Sequence, residues 1–258
     1  MGLQRSQAVV IGRRPLGEAD RLVSFYTREF GRLTGVANGA RRPRSRFGSA
    51  LELFSQGQLL FFETERSQLI RVDHFDLLHP FLAVREHLDR LGHGAWVVEC
   101  LGRLTAERDP HAALYGLLVR TLRALEGIPR PQRAVLAFAI RAVDLLGHRL
   151  RLDRCLECGK LPGALSHLDF AAGGLLCGAC APRGADALPF SSRAAASLRR
   201  LRTLRWAELL AASLAGAVES EIVAALEAQV VRLMGQPLRT TRFLAQTMRG
   251  LAWRGAPR

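Results

Sequence analysis

Four of the five cysteines fall in two Cys-x-x-Cys pairs, Cys155/Cys158 and Cys177/Cys180, with 18 residues between them. Thiolates presented two by two across a loop are the donor set of a tetrahedral zinc site. Each pair forms a tight turn that aims both sulfurs at one point, and the intervening segment folds back to deliver the second pair. Four thiolates leave no open position for water or substrate, so the reading is a single structural Zn²⁺. Two disulfides would use the same residues, but they suit secreted chains. The opening Met1-Gly2-Leu3-Gln4-Arg5 is not followed by the uninterrupted apolar run of a signal peptide. Thiols in ligand spacing point instead to a reducing cytoplasm.

The second chemistry is cationic. Residues 38–48 contain Arg41, Arg42, Arg44 and Arg46 and no acid. Arginines on a loop can spread along a phosphate backbone, and each phosphate neutralised releases counterion. Gly39 and Pro43 would shape the loop. Phe47 could stack on a base, although anchoring the loop in a core is the preferred reading. Arg13 and Arg14, in the first turn, extend the same surface. Arg199, Arg200, Arg202 and Arg205 cluster on an expected helix. Arg239 and Arg242, three apart and so on one face, open a last helix that also carries Arg249 and Arg254. Arg13-Arg14 and the helical runs could equally be solvated faces, whereas for the loop over 38–48 phosphate binding is the favoured reading.

The whole chain supports the cationic reading. It has 258 residues, a net charge of +14 and a pI near 11.2, which favour a polyanionic partner, nucleic acid first. Lys160 is the sole lysine, a GC-rich coding signature that sets the choice of cation but not the excess over acids. Residues 151–189 carry four bases and four acids, whereas 190–258 carry 11 and four. The zinc segment is therefore not the main phosphate-binding surface.

No catalytic set emerges, and the chain is not read as an enzyme. His74, His79, His87, His93, His111 and His148 show no His-Glu-x-x-His spacing. His167 lies between the cysteine pairs but is redundant beside four thiols. Cys100 sits in an apolar helical stretch and reads as a small core residue. There is no Walker A lysine motif, and neither half of the zinc-deaminase signature is present.

The elements that must position these residues fall in two classes. Short apolar runs over 4–12, 21–27, 32–38, 59–63 and 69–75, with glycine-marked turns, read as five strands of a small barrel. The five-stranded OB-fold is one solution, and an SH3-like barrel shares the pattern. After Pro80 the period becomes helical, with Leu82, Leu88, Leu91, Ala95, Val98 and Leu101 in register. Asp109-Pro110 reads as an N-cap and first-turn proline. A third helix runs from about 131 to Gly147, and Ser191-Ser192 caps the return of helical periodicity, with helices near 205–215, 220–234 and 239–252. The expected fold is α+β: a five-stranded barrel over 1–80, a helical domain in two parts, 81–150 and 183–258, and a four-cysteine zinc module inserted at 151–182. No apolar run approaches the ~20 residues of a membrane span.

With these residues in view, the chain resembles the RecO family of bacterial recombination mediators. The likeness lies in Gly17-Glu18-Ala19-Asp20-Arg21-Leu22-Val23-Ser24-Phe25-Tyr26-Thr27 with Gly31-Arg32, and in Gly39-Ala40-Arg41-Arg42-Pro43-Arg44-Ser45 followed by Leu51-Glu52-Leu53-Phe54. It continues in Phe138 through Leu145-Leu146-Gly147 leading to Cys155, Cys158 and Gly159, and in Pro237-Leu238-Arg239-Thr240-Thr241-Arg242-Phe243-Leu244. The resemblance implies that the barrel over 1–80 is an OB-fold DNA-binding domain, and it implies binding of single- and double-stranded DNA, strand annealing, and partnership with RecR. It also implies contact with the acidic C-terminal tail of the single-stranded DNA-binding protein and indirect service to RecA, in a cytoplasmic, nucleoid-associated protein. Two positions depart from the family pattern. His148 stands where Tyr is frequent, and Ala137 and Ala139 flank Phe138 where some relatives are charged. For the acidic tail, Arg133, Phe138 and Arg141 are the candidates. The rival readings are an RNA-binding or ribosome-associated OB/zinc protein, a metal-dependent nuclease, and an adaptor for acidic protein tails.

Overall fold

The first strand is unusually long because it serves two neighbours. β1 (Leu3–Leu16) pairs antiparallel with β4 (Gln56–Phe62) through Leu3–Val9 and with β2 (Asp20–Thr27) through Ala8–Leu16. The register shift between Val10 and Gly12 bends it from one partner to the other, as bulges do where barrels turn corners. β3 (Gly31–Ala37) pairs with β2, and β5 (Ile70–His79) pairs with β4. A parallel contact, Gly35↔Ile70 and Val36↔Arg71, closes the ring in the order β1-β2-β3-β5-β4. A Cβ on Gly35 would lie 2.5 Å from Ile70 Cγ1, so the strands can close only with glycine there. This order is that of the OB-fold and settles the choice between the two barrels left open by pattern.

The computed structural model describes residues 2–63, 67–163, 166–181, 187–241 and 244. The chain divides into two compact units, Met1–Pro131 and Gln132–Arg258. Within the first, Ala8, Val10, Val23, Phe25, Leu33, Leu59, Phe61, Ile70, Val72 and Phe75 fill the barrel. The unit continues with α1 (Leu82–Glu86), α2 (Leu88–Leu104) and α3 (Ala112–Gly127). One expected helix is thus two, broken at His87 in extended backbone. Leu82 and Leu88, read as core from their spacing, are about half exposed. The cap of α3 also moves. His111 is the N-cap, its Nδ1 accepting from Leu114 N at 3.3 Å. Asp109 is held elsewhere: Arg108 N donates to Arg32 O, and Asp109 backbone packs where a Cβ on Gly31 would be.

The second unit holds α4 (Pro131–Leu145), the strands β6 (Ser166–Asp169), β7 (Gly174–Cys177) and β8 (Leu188–Pro189), then α5 (Ser192–Thr203), α6 (Trp206–Ala211) and α7 (Gly216–Met234). Ser191 caps α5 as its sequence requires, accepting from Ala194 N at 3.1 Å. The sheet order β7-β6-β8 ties the cysteine segment to the strand that leads into α5. Of the expected helix over 239–252, residues 239–241 and 244 are helical and the rest lie outside the described residues.

Glu227 on α7 is 7% exposed, its Oε1 has no hydrogen-bond partner among the described residues, and burial pushes its carboxyl up to about 8. The folded state therefore keeps the proton through a range where the unfolded chain, ionising near ~4.3, has lost it. Stability on this account falls as pH rises from about 4.5 to about 8 and is level above. Glu227→Gln removes the dependence. It should melt higher than the parent at pH 8, by on the order of 3 kcal/mol in stability, with the gap closing toward about pH 4.5. Thermal denaturation at several pH values measures this.

Candidate metal centre and nucleic-acid interface

The cysteine turns form as their spacing demands. Gly159 N donates to Cys155 O at 3.0 Å, and Ala181 N to Cys177 O at 2.9 Å, folding each pair back on itself. Strands β6 and β7 bring the second pair over the first, with Cys177 opposite Ser166. Gly174 lets Arg151 run alongside β7, since a Cβ there would meet Arg151 O at 2.4 Å. The four Sγ atoms all lie within 4.8 Å of one another, and Cys158 and Cys177 are 3.7 Å apart. A metal about 2.3 Å from four tetrahedral sulfurs would set them about 3.8 Å apart, so the cluster fits a metal ion. Disulfide sulfurs would lie at about 2.05 Å, and all four thiols are free.

The electrostatics favour thiolate at Cys155 and Cys177. Burial works against ionising Cys155, but the backbone N–H groups of Cys158, Cys177 and Glu157 outweigh it and bring the thiol down to about 6. Cys177 N itself lies 3.3 Å from Cys155 Sγ. Backbone donors of Cys180 and Ala179 lower Cys177 as well. Cys180 goes the other way, to about 12, because it shares hydrogen bonds with the Cys177 and Cys158 sulfurs. A divalent cation resolves that conflict by accepting all four as thiolates. His167 stands on β6 outside the cluster. Cys100 is fully buried, and burial raises its thiol far from reactivity.

The arginine loop is built as a run of tight turns. Arg42 N donates to Gly39 O, Ser45 N to Arg42 O, Gly48 N to Ser45 O and Ala50 N to Phe47 O, at 2.9–3.2 Å. Ala40, Phe47 and Leu51 point into the barrel core and cap one mouth of it. Phe47 is 4% exposed, so it anchors the loop, and Arg46 lies 5.0 Å over its ring. Arg41, Arg42, Arg44 and Arg46 all remain exposed. The loop is also tied to the β1–β2 turn: Arg41 N donates to Ala19 O, Arg41 Nη1 to Gly17 O, and Gly39 N to Asp20 Oδ1, each at 2.7–2.8 Å. This brings the loop to the end of the hairpin that carries Arg13 and Arg14, both exposed on β1.

Two charged side chains at this mouth escaped the sequence reading. Glu52 takes Arg13 in a two-pronged contact, at 3.0 Å and 2.7 Å, and Arg21 at 3.2 Å. A signal for Arg21 existed, because it shares the period-2 parity of Val23 and Phe25 and so points toward the mouth.

In the second unit the candidates separate. Arg199 and Arg200 are exposed on α5, and Arg239 is exposed in the helical turn that follows α7. Arg242 lies outside the described residues. Arg202 is 6% exposed, with Nε 3.3 Å from Asp144 Oδ1 and Nη1 donating to Leu150 O at 2.9 Å. It braces the fold and presents nothing to a phosphate. Its neighbours Arg199 and Arg200 face outward because a helix turns about 100° per residue.

The residues expected to hold an acidic tail are also structural. Phe138 is fully buried. Arg133 is 8% exposed, donates to Ala212 O and pairs with Glu219 at 3.3 Å. Arg141 donates to Arg202 O and Leu204 O. Both arginines thus satisfy carbonyls at the ends of α5 and α6, where cations are favoured.

The family description "Recombination protein O N terminal" matches residues 1–81, and "Recombination protein O C terminal" matches 85–242. The DNA repair protein RecO of Anaeromyxobacter dehalogenans (strain 2CP-C) is 35% identical over 92% of this chain and 93% of its own length. That of Myxococcus xanthus (strain DK1622) is 31% identical over 93% and 96%. That of Frankia casuarinae is 37% identical over 88% and 90%. No helix among the described residues is long and apolar enough to cross a membrane. Matched from the first strand of the barrel to the turn beyond α7, the chain belongs to the recombination protein O family.

Proposed function

We propose that this chain is a non-enzymatic DNA-binding protein of DNA repair and homologous recombination that anneals complementary strands. The observation that supports it most is the mouth of the barrel, where Arg41, Arg42, Arg44 and Arg46 stand exposed on a loop built of turns beside Arg13 and Arg14. A loop already ordered loses little entropy when phosphates bind. Two strands held on arginines have their mutual repulsion screened while base pairing completes the product. Phosphate contacts position the strands without reading bases, so binding is sequence-independent. Arg199, Arg200 and Arg239 supply further cationic positions on the second unit.

The four-thiol cluster is assigned a structural Zn²⁺, which all-sulfur tetrahedral donors favour. Family membership supports partnership with RecR, contact with the single-stranded DNA-binding protein and help in loading RecA, without residues assigned to those contacts. It also supports a cytoplasmic, nucleoid-associated location. Annealing of two complementary oligonucleotides, with and without single-stranded DNA-binding protein, tests the proposal. The protein should accelerate annealing, with the effect fading as salt rises. No acceleration at low ionic strength would overturn it. Competition by RNA at matched salt separates the RNA-binding reading, and labelled DNA with Mg²⁺ should stay uncut.

A further inference from the structure

At the mouth of the barrel two guanidinium groups converge on one carboxylate. Arg13 grips both oxygens of Glu52, and Arg21 adds a third contact to Oε1. Two arginines around one oxyanion is also how proteins hold a phosphate. The positions of both arginines are set by the β1–β2 register, in which Arg13 pairs with Val23 and Pro15 with Arg21. They are therefore fixed by the sheet and do not depend on the loop. Glu52 is the sole acid in residues 38–55, the same connection that carries the four exposed arginines. The three side chains are between about a fifth and two fifths exposed, so solvent and a ligand reach them.

We propose that Arg13 and Arg21 form a site for one nucleic-acid phosphate, and that Glu52 fills this site in the free protein. This rests on the DNA-binding reading above and adds a residue that limits affinity. DNA entering the mouth exchanges one oxyanion for another at the guanidiniums, and the released carboxylate must take up a cation. That uptake offsets counterion release, so the wild-type chain binds more weakly, and with a shallower salt dependence, than its arginines allow.

The test is the salt dependence of binding to an unstructured oligothymidylate, read by fluorescence anisotropy for the wild type and its variants. Glu52→Gln should bind about three- to tenfold tighter than wild type, since two exposed ion pairs no longer compete. Its salt slope should steepen by about 0.7. Glu18→Gln is the control. It removes an equal charge from the neighbouring β1–β2 turn and should give a smaller gain at the wild-type slope. The Arg13→Ala/Glu52→Gln double variant should lose the gain. Equal slopes for E52Q and E18Q, or weaker binding by E52Q, would overturn the proposal. The four-arginine loop variant, measured alongside, separates the two levels: if it weakens binding while E52Q changes nothing, only the Glu52 inference fails. If it leaves binding unchanged, the DNA-binding reading of the loop fails as well. Should E52Q melt early, Arg21→Ala decides, because a phosphate contact loses affinity by about threefold and a bracing residue loses melting temperature alone.

Discussion

Replacing Arg41, Arg42, Arg44 and Arg46 together by alanine should weaken DNA binding by at least about tenfold at moderate salt and flatten its salt dependence. Each phosphate contact contributes about 0.7 to the logarithmic slope on single strands and about 0.9 on duplex. Losing four would lower the slope by up to about 2.8 on single strands and about 3.6 on duplex. The fold should survive, because the four side chains are exposed while Ala40, Phe47 and Leu51 hold the loop in the barrel. The Arg41 backbone contact to Ala19 does not depend on its side chain. Melting curves should therefore overlap those of the parent within a few degrees. Titrations at several salt concentrations decide the matter. An unchanged slope would mean that the phosphates lie on another surface, and Arg199, Arg200 and Arg239 would be the next to replace. A lowered melting temperature without a change of slope would assign the loop to stability.

The second large effect concerns the thiols. Cys155→Ser with Cys177→Ser removes one ligand from each pair, and a hydroxyl does not replace a thiolate toward a soft-tolerant cation. The double variant should lose bound metal, measured by elemental analysis, and the second unit should lose several kcal/mol of stability, because metal affinity in such modules is folding free energy. The reason lies in how little else holds the segment. β6 and β7 are four residues each and β8 is two, too few to stand alone as a sheet. The damage should spread to α5, since β8 leads into it through Phe190, whose backbone N–H donates to Ser166 O. DNA contacts at the barrel mouth belong to the first unit and should persist. Loss of metal with full thermal stability retained would show that the ion is not a brace.

The barrel and the cluster were legible early, for a local reason. Alternation of apolar residues and turn glycines marks strands without knowledge of what they face. Cys-x-x-Cys fixes the geometry of a turn within four residues. The family resemblance, carried by runs such as residues 17–27 and 237–244, agrees with the matched models.

Features that depend on distant partners were not legible. Arg199, Arg200 and Arg202 look alike as a basic run, yet Arg202 meets Asp144 and Leu150 across more than fifty residues. Arg133 and Arg141 carry the charge an acidic tail would want, but α5 and α6 end beside them with carbonyls to satisfy. Arg21 and Glu52 lie 31 residues apart and meet only because the β3–β4 connection folds over the mouth. Periodicity and spacing report each residue's own backbone, and so they determined the barrel strands and the thiol cluster. Whether a charge faces water, a helix end or an opposite charge is set by which surfaces pack together, and that was decided by the tertiary fold alone.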